Sequence, residues 1–345
     1  MLAMALKEIR QLRRDHRTVA MMVVLPLVLL VVFGYAARFD VTSIRTIVVG
    51  PAAAQVAGAL PSPFEVVDTR SADGADQAID RLRRGEATVA IVADPAQPRL
   101  LVDGSDLFAA RAVVTAVAQR PGLPQAEVLF NPDLKTSNVM VPAIIGMILV
   151  FVGTVATSLG VVRERQAGTL EQLAVMPFRP RDVFLGKIAP YFLIGLLDMV
   201  IVVTAGLIVF GVPFNGSPLT FGLGAVLFLF ATTGLGVLIS TVSENQGQAI
   251  QLAIMTLLPQ ILLSGMIFPL ESMAAGVRWI GYLLPLTYFT QVSRGVMLRG
   301  APIDSLLVPL GALAVIGIVI FGLSVLRFRR DLAPAPRRQE AAQTV

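Results

Sequence analysis

Charged side chains are spread so unevenly along this chain that five windows of 20 residues or more contain none: 18–37, 136–162, 199–243, 245–270 and 305–326. A helix needs roughly 20 apolar residues to cross the hydrocarbon core of a bilayer, and a charge placed there is costly. The window 199–243 is too long for one crossing, and Pro213-Phe214-Asn215-Gly216-Ser217-Pro218 interrupts it with turn chemistry. Six spans are therefore expected, at 18–37, 136–162, 188–212, 219–242, 248–270 and 305–326. The segment 273–300 holds an apolar stretch too short to cross and contains Pro285, so it reads as re-entrant or interfacial. Composition agrees: 55% of the residues are hydrophobic and 15% charged, against about 25% charged in soluble domains, and mean hydropathy is +0.75. The expected fold class is an α-helical polytopic membrane protein.

Lys and Arg set the orientation. With six spans, the segments 1–17, 163–187, 243–247 and 327–345 share one side and carry 15 basic against 8 acidic residues. The opposite side, 38–135 and 271–304, carries 13 against 14. Short, net-basic connections mark the cytoplasm, so both termini are expected there, including the tail 327–345, in a multi-pass protein of the cytoplasmic (inner) membrane. The net charge of +5 is then a topological signature, and no nucleic-acid partner is expected. The absence of Cys and the single His16 exclude disulfides, thiolate metal centres and any catalytic site that needs two His.

Residues 1–17 place Leu2, Leu6, Ile9 and Leu12 at helical spacing among Lys7, Arg10, Arg13, Arg14 and Arg17. This predicts an amphipathic helix in the membrane interface, its basic side chains meeting anionic lipid headgroups. The apolar run that follows ends in Tyr35-Ala36-Ala37, but it is long and its leader carries Glu8 and Asp15. An uncleaved first span is expected. Residues 38–135 are polar and near neutral, long enough for a folded unit. Strand patterns at 45–49, 64–68, 87–94 and 100–103 alternate with helical periodicity at 72–84 and at 105–119, where Ser105 is a plausible cap. The reading is an α/β extracytoplasmic domain between spans 1 and 2.

The segment 163–187 is the most informative connection. Thr169-Leu170-Glu171-Gln172 fits a capping box, Leu170, Leu173 and Ala174 then share a face, and Pro177 stops the helix. Two turns of helix are unstable alone, so this one needs a surface to pack on, and an intracellular partner would supply it.

Val162-Arg163-Glu164-Arg165-Gln166-Ala167-Gly168-Thr169-Leu170-Glu171-Gln172-Leu173, followed by Pro177, Arg179-Pro180 and Gly186-Lys187, resembles the hallmark loop of ABC-type export permeases of the type-2 family. Asn245-Gln246-Gly247-Gln248-Ala249 and Leu284-Pro285-Leu286-Thr287-Tyr288-Phe289, with Arg294-Gly295, are similar to further stretches of that family. The resemblance implies a six-helix half that pairs with a second permease half, identical or homologous, each half docking one ABC ATP-binding subunit. It makes 169–176 similar to a coupling helix and assigns docking to Glu164, Arg165, Gly168, Thr169, Glu171, Gln172 and Leu173. It also implies no cofactor in this chain, with ATP and Mg²⁺ held by the partner subunit. The residues agree independently on that point. No G-x-x-x-x-G-K-[S/T] occurs: before Gly186-Lys187 the upstream glycine position is Arg181, and Ile188 follows.

Inside the spans, Asp198 is the one acid, 11 residues beyond Lys187, or roughly 16 Å along a helix. It is a candidate for the translocation path together with Gln251 and Met255, although hydrogen bonding and packing within the bundle are the alternative uses of all three. Glycines through the spans permit close helix packing, and Trp279, Tyr282 and Tyr288 fall where an aromatic interface belt is expected. The function expected is the membrane subunit of an exporter for a hydrophobic or amphipathic substrate, drug-like or lipid, with no catalysis in this chain. Two rivals belong to other classes. One is a proton-coupled carrier acting alone through Asp198; the other is a membrane-anchored binding protein acting through the external domain.

Overall fold

The computed structural model describes residues 43–119, 124–167 and 180–331, with a few isolated positions before residue 43. Nearly all of the expected interfacial helix 1–17 and of the expected span 18–37, the expected helix 169–176 and the tail beyond 331 lie outside the described residues.

The first described unit is an α/β domain: β1 (Ile44–Val49), α1 (Ala53–Ala59), β2 (Phe64–Arg70), α2 (Ala75–Arg84), β3 (Val89–Val92), β4 (Arg99–Asp103), α3 (Leu107–Ala118) and β5 (Ala126–Leu129). Its five strands run in the order β2-β1-β3-β4-β5, parallel throughout except where β3 meets β4. β1 lies between two parallel neighbours, which explains its nearly continuous apolar run, with Ile47, Val48 and Val49 fully buried. Strand alternation sorts the core. Ile47, Val49, Ala90, Val92 and Leu101 pack on Ala78 and Leu82 of α2, while Ile44, Val89, Leu100 and Val102 pack on Ala110 and Val113 of α3. Helix α2 ends at Gly85, whose φ of +74° closes a left-handed cap that a side chain would strain. Helix α3 is capped by Asp106, which accepts from the Ala109 N–H at 3.1 Å. This corrects the expectation at Ser105, which is buried one position earlier with its own N–H bound by Asp103.

Fully buried Asn131 joins this domain to the bundle, bonding Gly104 O, Lys135 and Asn138. The helices then follow: α4 (Thr136–Gln166), α5 (Pro180–Phe210), α6 (Pro218–Val242), α7 (Gln246–Leu263), α8 (Ala275–Gly281), α9 (Pro285–Arg294) and α10 (Leu307–Asp331). Among the described residues four helical stretches are long and apolar enough to cross a membrane: Thr136–Gln166, Ile188–Phe210, Pro218–Val242 and Ile303–Arg327. The expected fifth span, 248–270, is corrected at its end: its helix stops at Leu263, and Ser264 and Gly265 (φ +79°) turn the chain. Gln246, Gln248, Gln251, Gln260 and Pro259 dilute its apolar surface, which explains why it falls short of the other four. The segment 273–300 forms two short helices, α8 and α9, and a π turn (Gly295–Arg299).

Helix α6 is the centre. Its residues Phe221, Ala225, Phe228 and Leu229 share one core with Ile145 and Leu149 of α4, Phe289 and Val292 of α9, and Leu310 of α10. Phe228 stacks on Phe289 with ring centroids 4.5 Å apart. Where α4 crosses α6, α4 takes a π turn (Val152–Ala156) and the backbones close up. A Cβ on Gly236 would stand 2.7 Å from Thr154 O and 2.9 Å from Gly153 O, and one on Gly153 would collide with Thr232 Oγ1. At the other end, the turn before α6 is stapled to the π turn after α9: Asn215 Nδ2 donates to Leu298 O at 2.7 Å and Asn215 N to Met297 O at 3.0 Å. By contrast, α5 and α10 carry long exposed apolar faces, among them Leu193, Leu197, Ile201, Ile208, Val315, Ile318 and Leu323.

The crossing sets a test. Gly236→Ala should destabilise the protein by about 1–3 kcal/mol, because the obstructing atoms are backbone and cannot rotate away. Gly222→Ala, where a Cβ meets nothing within 4 Å, should leave stability unchanged or raise it. Melting midpoints of the two variants in one detergent compare them directly.

Candidate functional site

The expected site residues fall into two places, and the fold adds a third. At the end of the bundle far from the α/β domain, Glu164 and Arg165 occupy the last turn of α4, just before the connection 168–179. Arg165 Nη1 donates to Ser240 O at 3.0 Å and to Ser243 O at 3.2 Å, so a guanidinium caps the carbonyl end of α6. Gln246 Nε2 donates to Gln166 Oε1 at 3.1 Å. Asn245 Oδ1 accepts from the Gln248 N–H while Gln248 Oε1 accepts from the Glu244 N–H, a reciprocal cap that starts α7. The root of the connection is thus tied to the α6–α7 link, and Arg165 acts there as a brace between helices. Gly168, Thr169, Glu171, Gln172 and Leu173 lie outside the described residues.

Within the bundle, Asp198 is half-buried on α5, and its Oδ2 is enclosed with no hydrogen-bond partner among the described residues. Gln251 and Met255 are half-buried on α7. Helix α5 packs on α4 and α6, and α7 on α4, α6, α8 and α9; α5 and α7 share no substantial contact. The structure therefore does not bring Asp198 together with Gln251 and Met255. Gln260, nine residues beyond Gln251, is fully buried, and its Oε1 has no partner among the described residues.

The third place is a cavity of about 670 Å³ between the α/β domain and the bundle. Its floor and walls come from the end of α2, the start of α3, the loop 264–271, α9, the π turn and the first turn of α10. Arg299, at the end of the π turn, reaches into the domain: its Nη1 lies 3.4 Å from Asp103 Oδ2, and a Cβ on Gly85 would stand 2.8 Å from that same nitrogen. Gly85 is therefore needed twice, for its positive φ and for this approach. Arg84 bridges Asp80 at 2.8 Å and Asp304 at 2.6 Å, pinning α2 to the segment that leads into α10. Arg294 donates to Gly265 O at 3.3 Å and to Met266 O at 2.9 Å. Asp106 keeps part of its surface accessible, yet its carboxyl is enclosed deeply enough that burial raises its pKa to about 6; Glu271 and Asp103 add to the rise, while the Ala109 N–H and Arg294 oppose it. Of these groups, sequence reasoning singled out only Arg294, through its position in the Arg294-Gly295 stretch. The others are scattered from 84 to 304 and converge only through the fold.

A native acid with a raised pKa binds its proton more tightly than the unfolded chain does. Between about pH 4 and pH 6, ionising Asp106 should therefore cost stability, and the penalty is complete above pH 6. Asp106→Asn, which preserves the cap, should gain on wild type as pH rises from 4.5 to 7.5. Melting curves of both proteins across that range check the sign.

Comparison with known proteins identifies the family. The family model for the ABC-2 family transporter protein matches residues 16–326. The probable multidrug ABC transporter permease YbhS of Escherichia coli is 30% identical over 366 aligned positions, covering 96% of this chain and 97% of that protein. The inner membrane transport permease YhhJ of Escherichia coli is 34% identical over 213 positions, 59% of this chain and 54% of that protein. ABC transporter G family member 20 of Dictyostelium discoideum is 27% identical over 191 positions, 55% of this chain and 26% of that much longer protein. With a match that runs from before the first uncharged window to the end of the last, the chain belongs to the ABC-2 family of transporter membrane proteins.

Proposed function

We propose that this chain is the permease subunit of an ATP-driven exporter that moves a hydrophobic or amphipathic substrate, drug-like or lipid, out through the inner membrane. The carrying observation is the family match over 16–326 together with full-length similarity to a relative named as a probable multidrug permease. In this reading six helices cross the membrane, 18–37 and α7 (Gln246–Leu263) completing the four long apolar ones, with both termini in the cytoplasm and the α/β domain outside. A second permease half covers part of the exposed apolar surface of α5 and α10. The helix 169–176 seats in a separate ATP-binding subunit through Glu164, Arg165, Gly168, Thr169, Glu171, Gln172 and Leu173. Closure of two such subunits on ATP pushes both helices, and the brace from Arg165 to the end of α6 passes that push into the centre of the bundle.

The test is co-purification. A tagged chain extracted in mild detergent from its host should bring down an ATP-hydrolysing subunit, and a Glu171→Arg, Leu173→Asp double variant should lose it. Absence of any ATPase from membranes that hold the folded wild-type chain would overturn the exporter reading. One observation favours a second reading, a proton-coupled carrier: the enclosed Oδ2 of Asp198, which has no partner among the described residues. Transport driven by a proton gradient without ATPase, and abolished by Asp198→Asn, would select it.

A further inference from the structure

The cavity under the α/β domain holds two kinds of charge that the fold leaves only partly used. Asp106 and Glu271 stand close enough for their charges to interact. Asp106 accepts one hydrogen bond from the Ala109 N–H, and neither carboxylate has an ion-pair partner within 4.0 Å among the described residues. Arg294 and Arg299 form the opposite pair. Five residues apart across a π turn, whose hydrogen bonds join residues five apart, they fall on one side of the chain, and their charges are near neighbours. Arg294 donates to the neutral carbonyls of Gly265 and Met266, which hold it without balancing its charge. Among the described residues Arg299 has only the long 3.4 Å contact to Asp103 as an ion pair. The Nε of each is buried without a hydrogen-bond partner among the described residues. A simple anion brought here would meet the carboxylates of Asp106 and Glu271, and a simple cation the guanidiniums of Arg294 and Arg299; a molecule carrying both signs would satisfy all of these.

The mouth says what the rest of that molecule looks like. Val308 lines the cavity yet is 78% exposed, and Tyr282 lines it at 45% exposed. Leu283 and Leu307 continue this apolar surface beside them. Val308 lies near the start of the candidate span Ile303–Arg327, so the cavity opens at the level where that helix leaves the hydrocarbon. Its volume, about 670 Å³, is that of a small-molecule site.

We propose that this cavity binds the head of a zwitterionic amphiphile, its ammonium group facing Asp106 and Glu271 and a phosphate-type anion facing Arg294 and Arg299, with the apolar tail running out over Tyr282 and Val308. Guanidinium pairs suit phosphate oxygens because their forked N–H groups match that geometry. The site deepens the amphipathic-substrate reading above and rests on it only for the fate of the bound molecule.

Trp279, the one tryptophan in the chain, lies three residues from Tyr282 and reports on the mouth. The full-length protein in an uncharged detergent at pH 7.5 is titrated, with Trp279 fluorescence as readout, against four probes. These are dioctanoyl phosphatidylethanolamine, dioctanoyl phosphatidylglycerol, dodecyltrimethylammonium and tail-less glycerophosphoethanolamine. The ethanolamine lipid should saturate the signal with affinity at least tenfold above each of the others. Glu271→Gln, a change at an exposed side chain that leaves the fold intact, should shrink its preference over the glycerol lipid to threefold or less, and Asp106→Asn should do the same. Equal affinity for all three tailed probes means partitioning, and overturns the proposal. So does equal binding of the tail-less head, or an undiminished preference in a Glu271→Gln protein that melts like wild type. No ATPase enters this measurement, so its failure and failure of the co-purification test are distinct.

Discussion

Lipid tails are as apolar as a leucine side chain, so two helices in a bilayer gain little by hiding leucine from lipid and must instead come close enough for backbone and small side chains to touch. Helix α6 meets that demand at its crossing with α4. Gly236 lies against the carbonyls of Gly153 and Thr154, Gly153 against Thr232, and the Thr154 hydroxyl donates to Thr232 O at 3.3 Å. The π turn of α4 is placed at this contact, where an extra residue in the turn shifts which side chains face α6. Because the crossing is tight, the large aromatics of α6 are set to either side of it, where Phe228 reaches Phe289 and Phe230 stacks on Phe321 at 4.4 Å. The positions of α9 and α10 follow from those contacts.

The α/β domain is held by different chemistry. It presents α2's Gly85 and Arg84, with Asp103 at the end of β4, to a bundle that answers with Arg299 and Asp304. Individual exposed ion pairs contribute little to stability; what they fix here is register, because Arg299 can enter only where Gly85 leaves room. The consequence is a junction with a polar interior beside an apolar bundle, and a cavity whose charges are held apart by carbonyl tethers instead of collapsing onto one another.

Much of the bundle was readable because charge is scarce. An uncharged window bounded by turn residues predicts 219–242, and the helix runs Pro218–Val242. In the domain, strand alternation predicts 45–49 and 64–68, and the strands run Ile44–Val49 and Phe64–Arg70. α1 and β5 escaped notice because each is short and neither carries a periodic apolar pattern long enough to register. The window 245–270 misled at its end: absence of charge says nothing about Ser264-Gly265, which stop the helix, or about four glutamines, which leave it less apolar than its neighbours. The cavity was illegible for another reason. Its acids and arginines are each ordinary in local sequence, and only the docking of two units built from distant segments brings Asp106, Arg294 and Arg299 to one place. Arg165 shows the intermediate case: a local motif marked the residue, but its contact with α6 carbonyls is a tertiary fact.

The pin between Arg84 and Asp304 joins residues 220 positions apart, and this has a bearing on how the chain is made. Synthesis at roughly 5–20 residues per second puts about 10–40 s between the appearance of the two side chains. Throughout that interval the α/β domain has no socket: Arg299 and Asp304 have not been made, and the groove beside Gly85 is open. The domain must therefore hold its sheet together with α1, α2 and α3 alone, which the three apolar clusters beneath those helices equip it to do. Docking becomes the last step of assembly, completed only when the segment ahead of the final span has emerged.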